Sequence, residues 1–345
     1  MNILYQFNNN YAIYAGVSIV SLFENNKEED EIVVHILDDE TDPISDDNRE
    51  KLYFIAQKYE RVIKIYDSNI LVDLISGLQI PCYRNCYAAN MRLFLDKILP
   101  CYIKKILYLD ADTIIVGKIN DLFETNMDDK VIAMVLECQS NPIKKDMGLK
   151  KDDFYYNSGV ILYDLDKWRR NECSKKIIDH AKNIRSAYVS PDQDLLNVVF
   201  VNQIKTIDLR YNYQPFHYLY NDKLYMRTFK TNPYYSYDQL KKARNDIKII
   251  HCYRFLGRFP WNRNSNHPNE EIWDTYLKIS PWDNYKKSNC NVNPLINVEI
   301  MLKRLLPDYF YLKLFIYAQK LRIKSLDRNI KKNSEQCKIR KGREK

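Results

Sequence analysis

Two carboxylates, two residues apart, close the apolar run LYLDADTIIVG over residues 107–117. Asp110 and Asp112 stand where a β-prone segment ends, and in a parallel α/β sheet the carboxyl ends of the strands border the ligand crevice. Acids placed there face something that attracts negative charge. Paired hard oxygen ligands suit a divalent metal.

The segments that must position this pair alternate between strand and helix patterns. NILYQF (2–7) predicts a strand and YAIYAGVSIVSLFENN (11–26) a helix with Asn10 as N-cap. EIVVHILDD (31–39) predicts a strand, DDNREKLYFIAQKY (46–59) a helix and RVIKIYD (61–67) a third strand. That alternation implies a parallel sheet. AANMRLFLDKIL (88–99) has helical spacing and leads into KKILYLDAD (104–112). Strands follow at KVIAMVLE (130–137) and, briefly, at GVILYDL (159–165). Helices follow at DKWRRNECSKKIIDHAKN (166–183) and DQDLLNVVFVN (192–202), and a further strand at IKIIHCYR (247–254). No repeat and no Gly/Ser linker divides residues 1–260. Pro260, Pro268, Pro281 and Pro294 mark a looser stretch beyond. The expected division is a catalytic domain over 1–265, an irregular or helical extension over 266–300 and a tail over 301–345.

Composition narrows the class. With 345 residues, 46% of them hydrophobic, the chain can bury a substantial core. The net charge of +8 is uneven: residues 301–345 hold 14 Lys and Arg against 4 Asp and Glu, leaving 39 basic and 41 acidic residues before them. The body is nearly neutral and the tail carries the charge. Eight cysteines (82, 86, 101, 138, 173, 252, 290 and 337) form no paired CxxC units, which points to free thiols in a reducing compartment. The opening MNILYQFNNN has neither a basic n-region nor an apolar h-region, and no run approaches the ~18 apolar residues of a membrane span. A cytoplasmic protein is expected.

Taken alone, the DxD pair fits a strand exit with two surface acids as well as it fits a site. A haloacid-dehalogenase-like phosphatase or phosphotransferase is another reading. There the first Asp is the nucleophile, and Thr or Val stands two positions after the second. Here Thr113 follows at once and Ile114 holds that place. A third reading rests on six blocks in order: ILYQFNNNYAIYAGVSIVSL, ILYLDADTIIVGKINDLF, YYNSGVILYDLDKW, PDQDLLNVVF, DLRYNYQP and IIHCYRFLGRFPW, which span most of residues 1–261. Together they resemble the bacterial retaining, metal-dependent nucleotide-sugar glycosyltransferases of family 8. That family includes lipopolysaccharide galactosyl- and glucosyltransferases and relatives of glycogenin.

The resemblance implies an α/β fold: one GT-A-type, Rossmann-like nucleotide-sugar-binding domain with a mixed, mostly parallel sheet, plus a basic helical C-terminal tail. It implies transfer of galactose or glucose from a UDP-hexose to a saccharide or glycolipid acceptor with retention. It also implies Asp110, Asp112 and His251 as ligands of Mn²⁺, with Mg²⁺ as the alternative, the imidazole favouring Mn²⁺. Asn8, Asn10 and Tyr11 match the uracil pocket, with Asn8 in place of the usual Asp, and Ala111 lies near the ribose. Arg92, Asn157, Ser158 and Gly159 match sugar-binding positions, Gly159 allowing close backbone approach. Asp192 and Gln193 match the catalytic pair, Gln193 being preferred as the group that stabilises oxocarbenium character. After His251 the loop is two residues longer than the family's, so Gly257 and Arg258 are matched to the diphosphate, Arg258 (or Arg254) replacing a Lys. A binding protein that has kept the fold without turnover is the remaining alternative.

In the tail, YFYLKLFIYAQKLRIK (309–324) sets Lys313, Lys320 and Lys324 along one helical face, ahead of the basic run RNIKKNSEQCKIRKGREK. A basic amphipathic helix rich in Tyr, Phe and Leu suits an anionic membrane interface, which implies a peripheral enzyme on the inner face of the cytoplasmic membrane. A helix docked on the catalytic domain is the competing reading. No nucleic-acid-binding module accompanies the charge.

Overall fold

A computed structural model gives the protein's structure and describes residues 1–39, 42–78, 80, 88–182, 188, 190–229, 234–254, 256–289, 294–321 and 325. Nine strands are defined among them: β1 (Asn2–Phe7), β2 (Val33–Asp38), β3 (Val62–Asp67), β4 (Lys105–Leu109), β5 (Thr113–Ile115), β6 (Ile132–Leu136), β7 (Tyr156–Asp164), β8 (Ile204–Ile207) and β9 (Ile249–His251). Seven form one sheet in the order β3-β2-β1-β4-β7-β6-β8, and β5 pairs with β9 in a second, two-stranded sheet. The pairs β3/β2, β2/β1, β1/β4 and β6/β8 are parallel. Only β7 runs against its neighbours β4 and β6. The sheet is thus mixed and mostly parallel, as the sequence implied. β2 and β6 are buried at every residue, and β1 and β4 at all but their first, the pattern of strands covered on both faces.

The helix Ala12–Asn25 fastens the small sheet to the large one. Tyr5 of β1 and Thr113 of β5 both bond the Ser18 hydroxyl, at 2.9 and 3.2 Å, and Ser21 Oγ accepts from the Ile115 amide at 2.9 Å. This fixes where the chain goes directly after Asp110 and Asp112. β9 then pairs Thr113 with His251, carrying the imidazole to the two acids.

Four local expectations are corrected. Asn10 does not cap the first helix: Tyr11 is its N-cap, without a side-chain bond, and the Asn10 amide donates to Asp42 at 2.7 Å. Residues 88–99 form a short α-helix, Ala88–Met91, and a 3₁₀ stretch, Arg92–Lys97, kinked at Phe94. The run 166–183 breaks into Leu165–Arg170 and Cys173–Ala181 at Glu172, whose φ of 49° is left-handed. The expected short strand at 159–165 is the nine-residue β7, with Asn157, Ser158 and Gly159 inside it rather than in a turn. The register between β6 and β7 slips there: Met134 faces Ile161 while Val135 faces Asn157. Such a bulge bends a strand and re-aims its side chains.

Residues beyond 265 pack in two ways. Trp273 and Trp282 belong to the main core. Leu302, Leu306, Tyr311, Leu312, Phe315 and Ile316, from the helix Pro294–Leu305 and the helical stretch 308–321, build a second core with Phe216, Tyr220, Tyr225 and Cys138. Cys101, Cys138, Cys173 and Cys252 are free thiols, as expected. The other four cysteines, Lys324 and the basic run 328–345 lie outside the described residues.

Candidate active site

β4 ends at Leu109, and the next three residues turn so that both acids face β9. The Thr113 amide and hydroxyl donate to Asp110 O at 3.1 and 2.8 Å, and the Cys252 amide donates to Asp112 O at 2.7 Å. His251 Nε2 then lies 3.2 Å from Asp112 Oδ1 and 3.5 Å from Asp110 Oδ2. One ligand atom from each of the three residues falls within 4.8 Å of the others. Two carboxylates and a buried imidazole fit a hard to borderline divalent cation. Electrostatics supports the fit: burial disfavours the imidazolium, yet Asp112 and Asp110 overcome it and raise His251 above its ordinary range. The two acids thus make the pocket favour positive charge in spite of burial.

The ring's orientation is set behind it. His251 Nδ1 is 3.0 Å from Asn212 Oδ1, and Asn212 Nδ2 donates to Asn157 Oδ1 at 2.7 Å. With Nδ1–H donating to an amide oxygen, Nε2 is left as a lone pair for a metal. Space for the ring comes from Gly159, where a Cβ would sit 2.2 Å from His251 Cε1 and 2.6 Å from Nδ1. The close approach expected at Gly159 is therefore that of the imidazole.

The remaining matched residues join the same cluster. Arg92 is buried over the Tyr108 ring, 4.1 Å from its centroid. It pairs with Asp110 Oδ1 at 2.9 Å and Asp192 Oδ2 at 3.3 Å, and donates to Ser158 O at 2.9 Å. Burial works against its charge, but Asp110, Tyr108 and Asp192 hold it firmly protonated. Asp192 accepts from the Ser158 hydroxyl at 2.9 Å. Its carboxyl is raised by burial, against the pull of Arg92. Gln193 Oε1 accepts from the Ser158 amide at 3.0 Å, and its Nε2 donates to Glu137 Oε2 at 3.0 Å and Tyr155 OH at 2.9 Å. Asn157 Nδ2 also donates to Glu137, at 2.9 Å. A closed circuit results: Asp110, Arg92, Asp192, Ser158, Gln193, Glu137, Asn157, Asn212, His251 and back to Asp110. Asp192 does not cap its helix, Pro191–Val199; Ser190 is the N-cap.

Three members of this cluster were not singled out from the sequence. Glu137 ends the predicted strand 130–137, Asn212 lies inside a quoted block, and Tyr108 precedes the acids, donating to Asp110 Oδ1 at 2.5 Å. Glu137 is raised by burial, against the donations of Asn157 and Gln193. Only for Asn212 was there a signal: a polar residue in a segment adjoining the His strand.

The matched nucleotide residues lie at two other places. Asn8 Oδ1 is buried without a hydrogen-bond partner, and Asn10 holds Asp42. Tyr11 packs edge-on to Tyr14, which stacks on Trp261 at 4.1 Å. Gly257 has a φ of +78°, and Ile296 of the C-terminal helix fills the place of its missing Cβ. Arg258 donates to Asn264 O and lines a cavity of about 390 Å³ with Asn297, Ile300, Met301, Arg304 and Leu305. None of Asp110, Asp112 and His251 borders that cavity.

Comparison with known proteins agrees with this geometry. The family model described as glycosyl transferase family 8 matches residues 2–265. A lipopolysaccharide 1,2-glucosyltransferase of Escherichia coli is 29% identical over 296 residues, covering 83% of this chain and 81% of that protein. General stress protein A of Bacillus subtilis (strain 168) is 25% identical over 302 residues, covering 86% and 98%. The crystal structure of the galactosyltransferase LgtC in complex with donor and acceptor sugar analogs superposes with a TM-score of 0.66 at 23% identity, over 81% of this chain and 96% of that one. The fold is shared.

Two outcomes follow from the packing. Gly159→Ala displaces the His251 ring and lowers Mn²⁺ affinity about 10- to 100-fold in calorimetric titration with the circular dichroism spectrum preserved; undiminished affinity would remove His251 from the metal site. Arg92→Met leaves Asp192 buried beside no cation and costs about 3–5 kcal/mol in urea unfolding. Adding Asp192→Asn should recover much of that loss, and strict additivity of the two changes would refute their coupling.

Proposed function

The chain belongs to glycosyl transferase family 8 and is a glycosyltransferase of GT-A-type fold, and from that premise we propose that it transfers glucose or galactose from a UDP-hexose to a saccharide acceptor with retention. The acceptor is a lipid-linked cell-surface glycan such as lipopolysaccharide core or capsule, a reading supported by the name of the E. coli relative, a lipopolysaccharide glucosyltransferase. The observation that carries this reading is the convergence of Asp110, Asp112 and His251 in one buried cluster with Arg92, Asp192 and Gln193. Residues 1–265 form the catalytic unit, 266–300 its extension and 301–345 the membrane-directed tail.

Asp110, Asp112 and the Nε2 of His251 would hold Mn²⁺, or Mg²⁺ in its place, and the ion when bound would supply Lewis-acid neutralisation of the diphosphate. Asn8 accepts the uracil N3–H with its buried, unpartnered oxygen, which fits this role in place of a carboxylate. Tyr11 stacks on the base, Asn10 braces the pocket through Asp42, and the backbone at Ala111 meets the ribose. Arg92, with Asp110 and Asp192 already on its guanidinium, orients the hexose hydroxyls. Ser158 and Asn157 hold Asp192, Gln193 and Glu137 in place. Gln193 Oε1 uses one lone pair on the Ser158 amide and keeps the other for the anomeric carbon as positive charge develops. The acceptor hydroxyl attacks from the face the diphosphate leaves and passes its proton to the leaving phosphate oxygen. Gly257 and Arg258 are assigned to the diphosphate on the family resemblance of their segment alone.

The tail has two apolar faces. One builds the second core. The other exposes Val298, Met301, Leu305, Phe310, Leu314, Tyr317 and Leu321, with Lys313 and Lys320 alongside. No helix among the described residues is long and apolar enough to cross a membrane. An exposed apolar stripe flanked by lysines suits the anionic inner face of the cytoplasmic membrane.

Two measurements test these readings. With Mn²⁺, UDP should be released slowly from UDP-glucose or UDP-galactose in the absence of acceptor, and Asp110→Asn should lower this roughly 100-fold. Binding without release would leave a binding protein, and phosphate release from phosphomonoesters would favour the phosphatase alternative. Removing residues after 300 would uncover the second core, so surface changes are the cleaner probe of the tail. Phe310→Gln, Leu314→Gln, Tyr317→Gln and Leu321→Gln together should abolish sedimentation with phosphatidylglycerol vesicles while sparing UDP release; continued vesicle binding would refute the membrane contact.

A further inference from the structure

Gln6 is 6% exposed, and both its amide nitrogen and its amide oxygen are buried with no hydrogen-bond partner. A primary amide so placed leaves two donors and an acceptor unfilled, a costly arrangement that sequences avoid unless the group is kept for something else. Its position shows what that is. β1 pairs with β4 at Ile3–Leu107 and Leu4–Tyr108, so Gln6 and Asp110 each lie two residues beyond the last pair, where the two chains leave the ladder. Side chains alternate along a strand: Tyr5 points to Ser18 on the first helix, so Leu4 and Gln6 take the opposite face. Asn8, whose backbone is still extended, continues that face. Tyr108 and Asp110 are joined by a hydrogen bond on the neighbouring strand, with Arg92 over the Tyr108 ring. Gln6 therefore stands between Asn8, assigned to the base, and the group of Asp110 and Arg92, assigned to metal and hexose.

We propose that Gln6 is a donor-contacting residue whose carboxamide takes a hydroxyl of the nucleotide sugar lying between base and metal. A hydroxyl both donates and accepts, as the amide does, whereas a phosphate oxygen would fill only the donors and the base edge is already met by Asn8. The hydroxyl comes from the ribose or from a hexose folded back toward it. The amide is sealed from solvent in the structure, and the penalty of the unpaired amide is relieved when the hydroxyl arrives. This rests on the proposed UDP-hexose reading.

The test uses the full chain with Mn²⁺ and titrates UDP and UDP-glucose or UDP-galactose into wild type, Gln6→Met and Gln6→Glu. Met matches the shape of Gln without its polar atoms, so Gln6→Met raises Tm while weakening the donor about tenfold, the equivalent of one hydrogen bond. Equal weakening of UDP and UDP-hexose assigns the hydroxyl to the ribose, and weakening of UDP-hexose alone assigns it to the hexose. Gln6→Glu keeps an acceptor but loses the donor, and it also weakens binding. A raised Tm with donor affinity equal to wild type in both variants overturns the inference. Wild type that binds no uridine nucleotide overturns the proposed function itself, a result distinct from equal binding by wild type and variants.

Discussion

The site depends on holding four carboxyl groups, Asp110, Asp112, Asp192 and Glu137, close together with little water. Mutual repulsion and burial both oppose this arrangement. The fold answers with one buried guanidinium and a ring of amides. Arg92 bridges Asp110 and Asp192, while Asn157 and Gln193 both donate to Glu137. What Arg92 leaves uncompensated lies around Asp112 and His251, where the raised imidazole marks an excess of negative charge. A dication held by Asp110, Asp112 and His251 would complete the balance.

The circuit also explains why each participant has so little freedom. Ser158 donates from its amide to Gln193 and from its hydroxyl to Asp192, and its carbonyl accepts from Arg92. All three contacts radiate from a single residue at the bulge in β7. Without the register slip against β6, strict alternation would send Asn157 and Ser158 to opposite faces of a regular strand. The irregular backbone lets consecutive polar residues serve one site, while Asp110 still takes its backbone bond from Gly159.

These features set how much the sequence could disclose. The parallel half of the sheet was legible because β1, β2, β3 and β4 are short β-branched or apolar runs separated by helix-spaced segments. The acids and the His were found because they end such runs within recognisable blocks. β7 was misjudged because Asn-Ser-Gly carries turn chemistry in isolation; its pairing to β4 and β6 on both sides overrides that preference. Glu137 escaped notice because nothing local distinguishes it, and Asn212 because its only mark was to be a polar residue inside a quoted block. Their roles come from partners 20 and 55 positions away, Asn157 in both cases. Asn10 looked like a cap by type and place, but Asp42 offers its amide a charged acceptor, the stronger bond.

The tail shows the same dependence on tertiary context. Its sequence allowed either a membrane helix or a docked helix, and the described part of it is docked. Leu302, Leu306, Leu312 and Phe315 close a core whose other wall includes Cys138, the residue after Glu137, and Phe216, which packs on Tyr253, two residues past His251. The docked face thus packs close behind Glu137 and His251 in sequence. An exposed apolar stripe on the reverse of the same helices keeps any surface that receives it at a fixed distance and angle from Glu137. On the proposed reading of a lipid-anchored acceptor, a mount of this kind would orient the reacting hydroxyl in a way that a flexible basic tether would not.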